Sequence, residues 1–190
     1  MFKNICLLII DMQYDFIKSP SPVFVNECRD IIPNIQKILN RFREKNLPRI
    51  FVKREHRESG IDVDLPRREL FIKNGGFLIE NNLGSEIINE LRPNKDEIVV
   101  IKRRFSAFFG TELDFLLRRM EIKTLILTGI QTPNCIRTTA FDAISYDYEV
   151  IVISDATKSK TDEIQNANLL DMKEVGIKIL LTNELLNMLK

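Results

Sequence analysis

Three side chains that could carry out covalent hydrolysis follow three predicted buried strands of this chain. Asp11 ends the first strand, Lys102 ends the third, and Cys135 lies beyond the fourth. A cysteine sulfur can attack a carbonyl carbon, a nearby carboxylate can move protons, and an ammonium group stabilises thiolate and carboxylate as anions. The three residue types together therefore suggest a cysteine hydrolase.

Cys135 is the most informative of the three because it lies where a strand gives way to a helix. It follows an apolar run at residues 124–128 and a turn at residues 129–134, and a helix is predicted from about residue 136 to 146. The unpaired N–H groups and positive dipole end of such a helix favour the thiolate. Cysteines in this position can have pKa values lowered from about 8.5 to roughly 3.5–7.5. The same N–H groups could form an oxyanion hole.

Each residue also has a purely structural explanation. Asp11 could cap the turn after the first strand. Lys102 stands beside Arg103 and Arg104, and such a charge cluster is usually a solvated face. Cys135 could be a small buried apolar residue. Their joint placement at one edge of the sheet, rather than any single residue, favours chemistry.

The elements that position these residues are predicted from hydrophobic patterning. Short runs rich in Ile, Val and Leu, without strict alternation, are typical of parallel strands buried on both faces. Stretches with helical periodicity separate them, so the fold class is α/β, with right-handed crossovers over an open sheet. Ligands bind such sheets outside the carboxyl ends of the strands. The predicted strands are residues 5–10, 49–52, 97–101, 124–128, 149–153 and 178–181, and the main predicted helices are residues 25–45, 111–120, 134–146 and 161–175.

One segment departs from this alternation. Residues 54–82 form a stretch of nearly thirty residues, longer than an ordinary connection, and long connections often have a function. We expect a lid-like insertion over the site, within a single domain that spans residues 1–190. Disorder of the segment is the alternative.

Composition argues against several classes of partner. Lys plus Arg (28) nearly balance Asp plus Glu (27), so nucleic acid and anionic membrane surfaces are not expected partners. The apolar run before Asp11 is too short for a membrane span or a signal-peptide core, which predicts a cytoplasmic protein. Cys6, Cys28 and Cys135 show no CxxC spacing, which argues against a disulfide framework and a structural zinc site.

Three segments, in the same order, resemble the isochorismatase-like cysteine hydrolases, which include nicotinamidases, N-carbamoylsarcosine amidase and ureidoacrylate amidohydrolases. They are residues 7–16 (LLIIDMQYDF), residues 101–108 (IKRRFSAF) with 111–113 (TEL), and residues 128–143 (TGIQTPNCIRTTAFDA). The resemblance covers nearly the whole chain. It implies a single-domain, three-layer αβα sandwich with a six-stranded parallel sheet. It also implies that Asp11, Lys102 and Cys135 form a catalytic triad that needs no organic cofactor.

The resemblance further implies the details of an amidase site. A cis peptide would join Ile130 to Gln131, and the backbone N–H groups of Gln131 and Cys135 would form the oxyanion hole. Isochorismatases that cleave a vinyl ether lack the cysteine, so this chain falls on the amidase side. The expected reaction is cleavage of a C–N bond in a small amide, ureido or carbamoyl compound through a thioester.

The family pattern is incomplete around the second strand. Nicotinamidases bind a metal there through an Asp and two histidines, whereas this chain has one histidine, His56, so we expect no metal and disfavour nicotinamide. His56 could contact the lid or the substrate, or be a solvated loop residue. Phe16, Phe105 and Phe108 could form the wall of a substrate pocket, or pack in the core.

Arginines near this sheet edge invite a further hypothesis. They could bind an anionic amide, since guanidinium groups bind carboxylates in bidentate fashion. Interleaved acidic residues favour surface ion pairs or an oligomer interface at least as strongly. The arginines are Arg54, Arg57, Arg67, Arg68, Arg103, Arg104 and Arg137.

Two functions outside hydrolysis remain as alternatives. The chain could be a catalytically silent family member that acts as a binding or assembly scaffold, or a thiol redox protein that uses Cys135. By resemblance we also expect a homo-oligomer, a dimer or tetramer, in which a neighbouring subunit can contribute to the pocket. A small-molecule substrate is the expected partner.

Overall fold

The computed structural model describes residues 4–190, which form a parallel sheet with helices on both faces. The strands are β1 (Ile5–Ile10), β2 (Arg49–Arg54), β3 (Ile98–Lys102), β4 (Thr124–Ile130), β5 (Glu149–Lys158) and β6 (Lys178–Leu180). The α-helices are α1 (Tyr14–Ile17), α2 (Ile32–Glu44), α3 (Arg68–Lys73), α4 (Leu113–Arg119), α5 (Arg137–Ser145), α6 (Asp162–Glu174) and α7 (Thr182–Met188). The predicted α/β class and six-stranded parallel sheet are confirmed.

The strand order is β3-β2-β1-β4-β5-β6. The chain adds β2 and β3 on one side of β1, and then adds β4, β5 and β6 on the other side of β1. Leu8 of β1 pairs with Ile50 of β2 and with Leu127 of β4, all in parallel register. The order therefore reverses between β1 and β4, and ligands of open α/β sheets bind at this switch point. Asp11 follows β1 there, and Cys135 follows β4.

The alternating side chains of β1 separate two apolar layers. Ile5, Leu7 and Ile9 pack with residues of α2 and α7, whereas Leu8 and Ile10 pack with residues of α4, α5 and α6. All six β1 residues are buried, which explains why the run lacks a polar alternation. Burial of each such side chain contributes about 1.5–3 kcal/mol to folding. The result is the predicted three-layer sandwich.

Two predicted helices begin later than expected. The helix predicted over residues 25–45 becomes α-helical only at Ile32, after a 3₁₀ turn at Cys28–Ile31. Pro33 explains the start, because its fixed φ and missing N–H suit the first turn of a helix. The helix predicted over residues 134–146 begins at Arg137, and a π-helical turn at Thr132–Ile136 precedes it.

The long connection between β2 and β3 is folded onto the carboxyl end of the sheet. His56 N–H donates to Leu78 O at 2.8 Å, and His56 O accepts from Glu80 N–H at 2.9 Å. The rings of His56, Phe71 and Phe77 contact one another edge to face, with centroids 5.2–6.1 Å apart. Arg54, the first residue of the predicted insertion, belongs to β2.

Among residues 4–190, no helix combines the length and apolar character that crossing a bilayer requires.

Candidate active site

The structure brings Asp11, Lys102 and Cys135 into contact. Lys102 Nζ lies 2.8 Å from Asp11 Oδ2 and 3.2 Å from Cys135 Sγ. It also donates to Arg104 O at 3.1 Å. The Asp11 and Lys102 side chains are fully buried, and Cys135 is 4% exposed. An ammonium group therefore bridges a carboxylate and a thiol inside a buried site, where electrostatic interactions are stronger than in water.

The turn after β1 aims Asp11 into this site. Asp11 has φ +58°, a left-handed conformation that aspartate tolerates better than most residues. Its N–H donates to Val52 O at 2.8 Å, and its carbonyl accepts from Gln13 N–H at 2.8 Å. Both oxygens of the Asp11 carboxylate lack a directed hydrogen bond among residues 4–190. Its contact with Lys102 is thus an ion pair.

Gly129 allows β4 to approach β1 at the level of the site. It has φ +109°, and a Cβ built there would lie 2.0 Å from the carbonyl oxygen of Ile10. A side chain at this position would push the two strands apart, next to Asp11 on one strand and the loop of Cys135 on the other. The glycine therefore sets the spacing between the two halves of the site.

The loop after β4 carries Cys135 in a tight turn. The peptide bond between Ile130 and Gln131 is cis. Gln131 O accepts from Asn134 N–H at 3.1 Å and from Ile136 N–H at 3.2 Å, which closes the π-helical turn around Cys135. The turn places the thiol beside Lys102 at the carboxyl edge of the sheet.

The pKa of Cys135 departs from the sequence-based expectation. Burial raises it to about 11, and the negative charge of Asp11 adds to the rise, while Lys102 and Arg54 oppose it. The helix-terminal effect predicted to lower this pKa is outweighed because the thiol is almost fully removed from water. Burial and Asp11 together therefore favour the thiol over the thiolate.

Arg54 and His56 form a buried pair behind the site. Arg54 is fully buried, and its Nε donates to His56 Nε2 at 3.1 Å. Because guanidinium nitrogens only donate, Nε2 carries no proton and the imidazole is neutral. Burial, reinforced by the charge of Arg54, lowers the pKa of His56 to about 4. The solvated-loop explanation for His56 is therefore wrong: the ring packs beneath the connection and holds Arg54.

The metal site of nicotinamidases does not fit these residues. His56 Nε2 is already engaged by Arg54, and Nδ1 lies 3.5 Å from Asp62 Oδ1. Within residues 4–190, no group of three or more His, Cys, Asp or Glu side chains is arranged to hold a metal ion.

The three phenylalanines proposed for the pocket separate into two kinds. Phe16 is buried in the layer beside α2, and Phe108 stacks on Tyr146 and Tyr148 with centroids 5.3 and 5.9 Å apart. Core packing explains both. Phe105 instead borders a surface depression of about 340 Å³, lined by Asp64, Arg104, Phe105, Ser106, Phe109, Thr138 and Asp142. Neither this depression nor a larger one of about 500 Å³, which Tyr14 helps to line, is lined by a triad residue.

The arginines near the sheet edge fall into two groups, and the first group forms ion pairs with acidic residues. Arg57 pairs with Asp62 at 2.9 Å, Arg103 with Glu80 at 3.1 Å, and Arg137 with Asp171 at 2.6 Å. These are the ion pairs that the sequence allowed.

Arg54 also pairs with Asp64, but it shares a further contact with Arg67: their guanidinium groups lie 4.9 and 4.8 Å from the centre of the Phe105 ring. Sequence reasoning included both in the cluster but in no site. The position of Arg54 at the carboxyl end of β2 was the signal that could have singled it out.

The chain resembles known proteins over most of its length. The isochorismatase domain model matches residues 5–184. An Arabidopsis thaliana protein named as a probable inactive nicotinamidase is 42% identical over 180 residues, covering 93% of this chain and 92% of that protein. The ureidoacrylate amidohydrolase RutB of Serratia proteamaculans is 27% identical over 176 aligned positions, covering 82% of this chain and 70% of that protein.

A solved structure has the same fold as this chain. The crystal structure of an isochorismatase family protein from Desulfovibrio vulgaris has a TM-score of 0.94 and 39% identity, covering 99% of each chain. Family members include hydrolases that act on amides. The chain therefore belongs to the isochorismatase family.

Proposed function

We propose that this protein is a cysteine amidohydrolase that cleaves a C–N bond of a small amide, ureido or carbamoyl compound through a thioester. The observation that carries the proposal is the buried contact of Lys102 with both Asp11 and Cys135 at the switch point of the sheet. The amidohydrolase named among its relatives supports the reaction class.

The first half of the reaction uses Asp11 as a general base. The carboxylate takes the Cys135 proton as sulfur attacks the substrate carbonyl, and the carbonyl oxygen becomes an oxyanion. The N–H groups of Gln131 and Cys135 stabilise this charge, and such a donor is worth roughly 2.7–4 kcal/mol in a well-studied hydrolase. Asp11 then gives the proton to the departing nitrogen, the C–N bond breaks, and ammonia or an amine leaves.

The second half regenerates the thiol. Asp11 accepts a proton from a water molecule as the water oxygen attacks the thioester carbonyl. The C–S bond breaks, the acid product leaves, and the proton returns to sulfur. Each proton taken by Asp11 is thus returned within the same half-reaction.

The raised pKa of Cys135 fits this use of a base. A thiol with a pKa of about 11 is almost fully protonated near neutral pH, so attack requires that the proton be removed as the bond forms. Lys102 keeps the resulting thiolate and the carboxylate of Asp11 in position. A protein that relied on a preformed thiolate would instead need a lowered pKa.

A catalytically silent binding or assembly protein is the second candidate. The name of the Arabidopsis relative, which describes an inactive nicotinamidase, favours it. That name concerns nicotinamide, and the single histidine of this chain also disfavours that substrate. The two candidates differ in whether any amide is hydrolysed at Cys135.

We further propose a homo-oligomer, a dimer or tetramer, in the cytoplasm. Exposed apolar side chains on the connection between β2 and β3 support an interface there; Ile61, Leu65 and Ile72 are 65%, 83% and 65% exposed.

Hydrolysis by matched variants tests the leading proposal. Purified protein is incubated with a panel of small amides, ureido acids and carbamoyl acids, and release of ammonia or amine is measured. We expect turnover by the wild type, loss of at least about 1,000-fold in Cys135→Ala and Asp11→Asn, and retention in Cys28→Ala. Cys28 is a buried cysteine outside the site, so it controls for the loss of a core thiol. Turnover that persists in Cys135→Ala excludes the mechanism, and no turnover of any compound favours the scaffold.

A further inference from the structure

We propose that Arg54 and Arg67 form an anion subsite beside Cys135, so that the substrate is an amide or ureido compound that also carries a carboxylate. This inference rests on the proposed function, because it names the class of substrate that the same site takes.

Arg54 supplies the fixed half of the subsite. Its Nε donates to His56 Nε2 at 3.1 Å, and its Nη2 contacts the Asp64 carboxylate and Arg103 O. Its Nη1 has no hydrogen-bond partner in the described part of the chain, although the residue is fully buried. A buried charged donor without a partner is costly, so its persistence points to a ligand that completes it.

Arg67 supplies the half that solvent can reach. Its side chain is partly exposed, and it makes no ion pair with any residue from 4 to 190. Burial and the charge of Arg54 lower its pKa, whereas Cys135 as thiolate, Asp64 and Asp11 act in the opposite direction. Geometry places this pair beside the triad: the Cα of Arg54 pairs with that of Lys102 in the sheet, and Arg67 approaches the same Phe105 ring as Arg54.

The two arginines are held together by an aromatic ring rather than by an acid. Both guanidinium groups lie within 5 Å of the centre of the Phe105 ring, at 4.9 Å for Arg54 and 4.8 Å for Arg67. Stacking on an aromatic face attracts each cation but does not neutralise it. Each guanidinium therefore keeps its positive charge, which an anion that reaches it would offset.

The charges around the site favour an anionic ligand. Arg54, Arg67, Arg104 and Lys102 bring four positive charges, whereas Asp11 and Asp64 bring two negative charges. Asp64 is shared, because Arg104 Nε also lies 3.7 Å from its Oδ1. The site therefore has an excess of positive charge while Cys135 is a thiol.

A carboxylate fits this arrangement better than other groups of its size. It is planar and accepts two parallel hydrogen bonds from a guanidinium, and Arg67 has no competing acid partner in the described structure. Because the subsite adjoins Cys135, the carboxylate and the scissile amide belong to the same small molecule. Half-amides of dicarboxylic acids and N-carbamoyl amino acids have this form.

Matched substrate pairs test the subsite by turnover. Each pair presents the same scissile amide with a carboxylate or with a neutral group in its place, such as succinamate against succinamide. We expect the wild type to prefer the anionic member by about 100-fold in kcat/KM. Arg67→Gln should lose most of this preference through KM, and Arg67→Lys should keep part of it. Arg57→Gln, which removes an exposed arginine paired with Asp62, is the control.

The outcomes separate this inference from the proposed function. Hydrolysis without a preference for carboxylate, or a preference that Arg67→Gln leaves unchanged, overturns the subsite and leaves the amidohydrolase intact. If no compound is hydrolysed, calorimetric titration with succinamate decides: binding that weakens at least about tenfold in Arg67→Gln supports the subsite alone. Neither turnover nor binding overturns both proposals.

Arg54 is tested separately, because it is buried and its loss could unfold the protein. Arg54→Lys keeps one positive charge in the core but removes the planar guanidinium group, which can bind a carboxylate through two parallel hydrogen bonds. Where thermal melting shows that this variant is folded, we expect the same loss of carboxylate preference as in Arg67→Gln. An unchanged preference in a folded Arg54→Lys would remove Arg54 from the subsite.

Discussion

At the scale of single residues, Cys135 holds a proton because its surroundings favour the neutral form. Burial and Asp11 raise its pKa, and Lys102 with Arg54 offset only part of the rise. The sequence predicted the helix-terminal position of the thiol but not its burial. Desolvation depends on how the loops close over the site, and local patterning does not show this.

The reactivity of this thiol should change in opposite directions in two variants. Asp11→Asn removes a negative charge that raises the pKa of Cys135, so alkylation by iodoacetamide near pH 8 should become about tenfold faster or more. Lys102→Met removes a positive charge and should slow it. Peptide mass spectrometry measures both rates, with Cys28, whose pKa burial raises to about 11, as the internal reference. Slower alkylation in Asp11→Asn would contradict the assigned electrostatics.

Arg54 shows why some site residues are hard to single out from sequence. Arginine is rarely buried, so an arginine within a charged segment after a strand is normally expected at the surface. Its burial depends on partners brought from elsewhere in the chain, His56 and Asp64 among them. The triad was easier to predict because three residues of complementary chemistry each follow a strand.

At the scale of elements, β1 was predicted closely, and the ends of several other strands were not. β1 matches its predicted bounds because its residues are apolar and the polar Asp11 follows at once. Three strands run further than predicted: β2 ends at Arg54, β4 at Ile130 and β5 at Lys158. Strand pairing extends these ends beyond the apolar run, and pairing is not a local property.

The close approach of β4 to β1 gives a prediction at this scale. Gly129→Ala should destabilise the protein by about 1–3 kcal/mol more than Gly176→Ala, because its Cβ would collide with the backbone of Ile10. Gly176 is the matched control: its φ is +95° against +109°, and a Cβ there would meet nothing within 4 Å. Urea unfolding measures both. Equal losses would show that φ alone, rather than strand spacing, requires the glycine.

At the scale of the whole molecule, the buried pair of His56 and Arg54 should link stability to pH. The pKa of His56 is about 4 in the folded protein against a reference of 6.5, so the unfolded chain binds more protons between these values. This contribution to stability is present above pH 6.5 and is lost as the pH falls toward 4. The full loss is about 3 kcal/mol.

A variant isolates this effect from other titrating groups. His56→Gln keeps an acceptor for Arg54 Nε but does not titrate, so its unfolding free energy should fall less between pH 7 and pH 4.5. Burial opposes ionisation of Glu97, but hydrogen bonds from Arg43 and Arg49 outweigh it and lower its pKa to about 2. The contribution of Glu97 to the pH dependence of stability therefore falls mainly below pH 4.5, its reference pKa. Identical pH dependence in wild type and His56→Gln, measured by urea unfolding, would contradict the assignment.

The measurement that tests the central claim most directly is the mass of the protein during turnover. Wild-type protein is mixed with each hydrolysed amide, quenched in acid within milliseconds to seconds, and analysed by intact and peptide mass spectrometry. We predict an adduct equal to the substrate less its leaving amine, located on Cys135 and absent from Cys135→Ala. Hydrolysis in which the acyl group is found on another residue, or that proceeds unchanged in Cys135→Ala, would contradict the account.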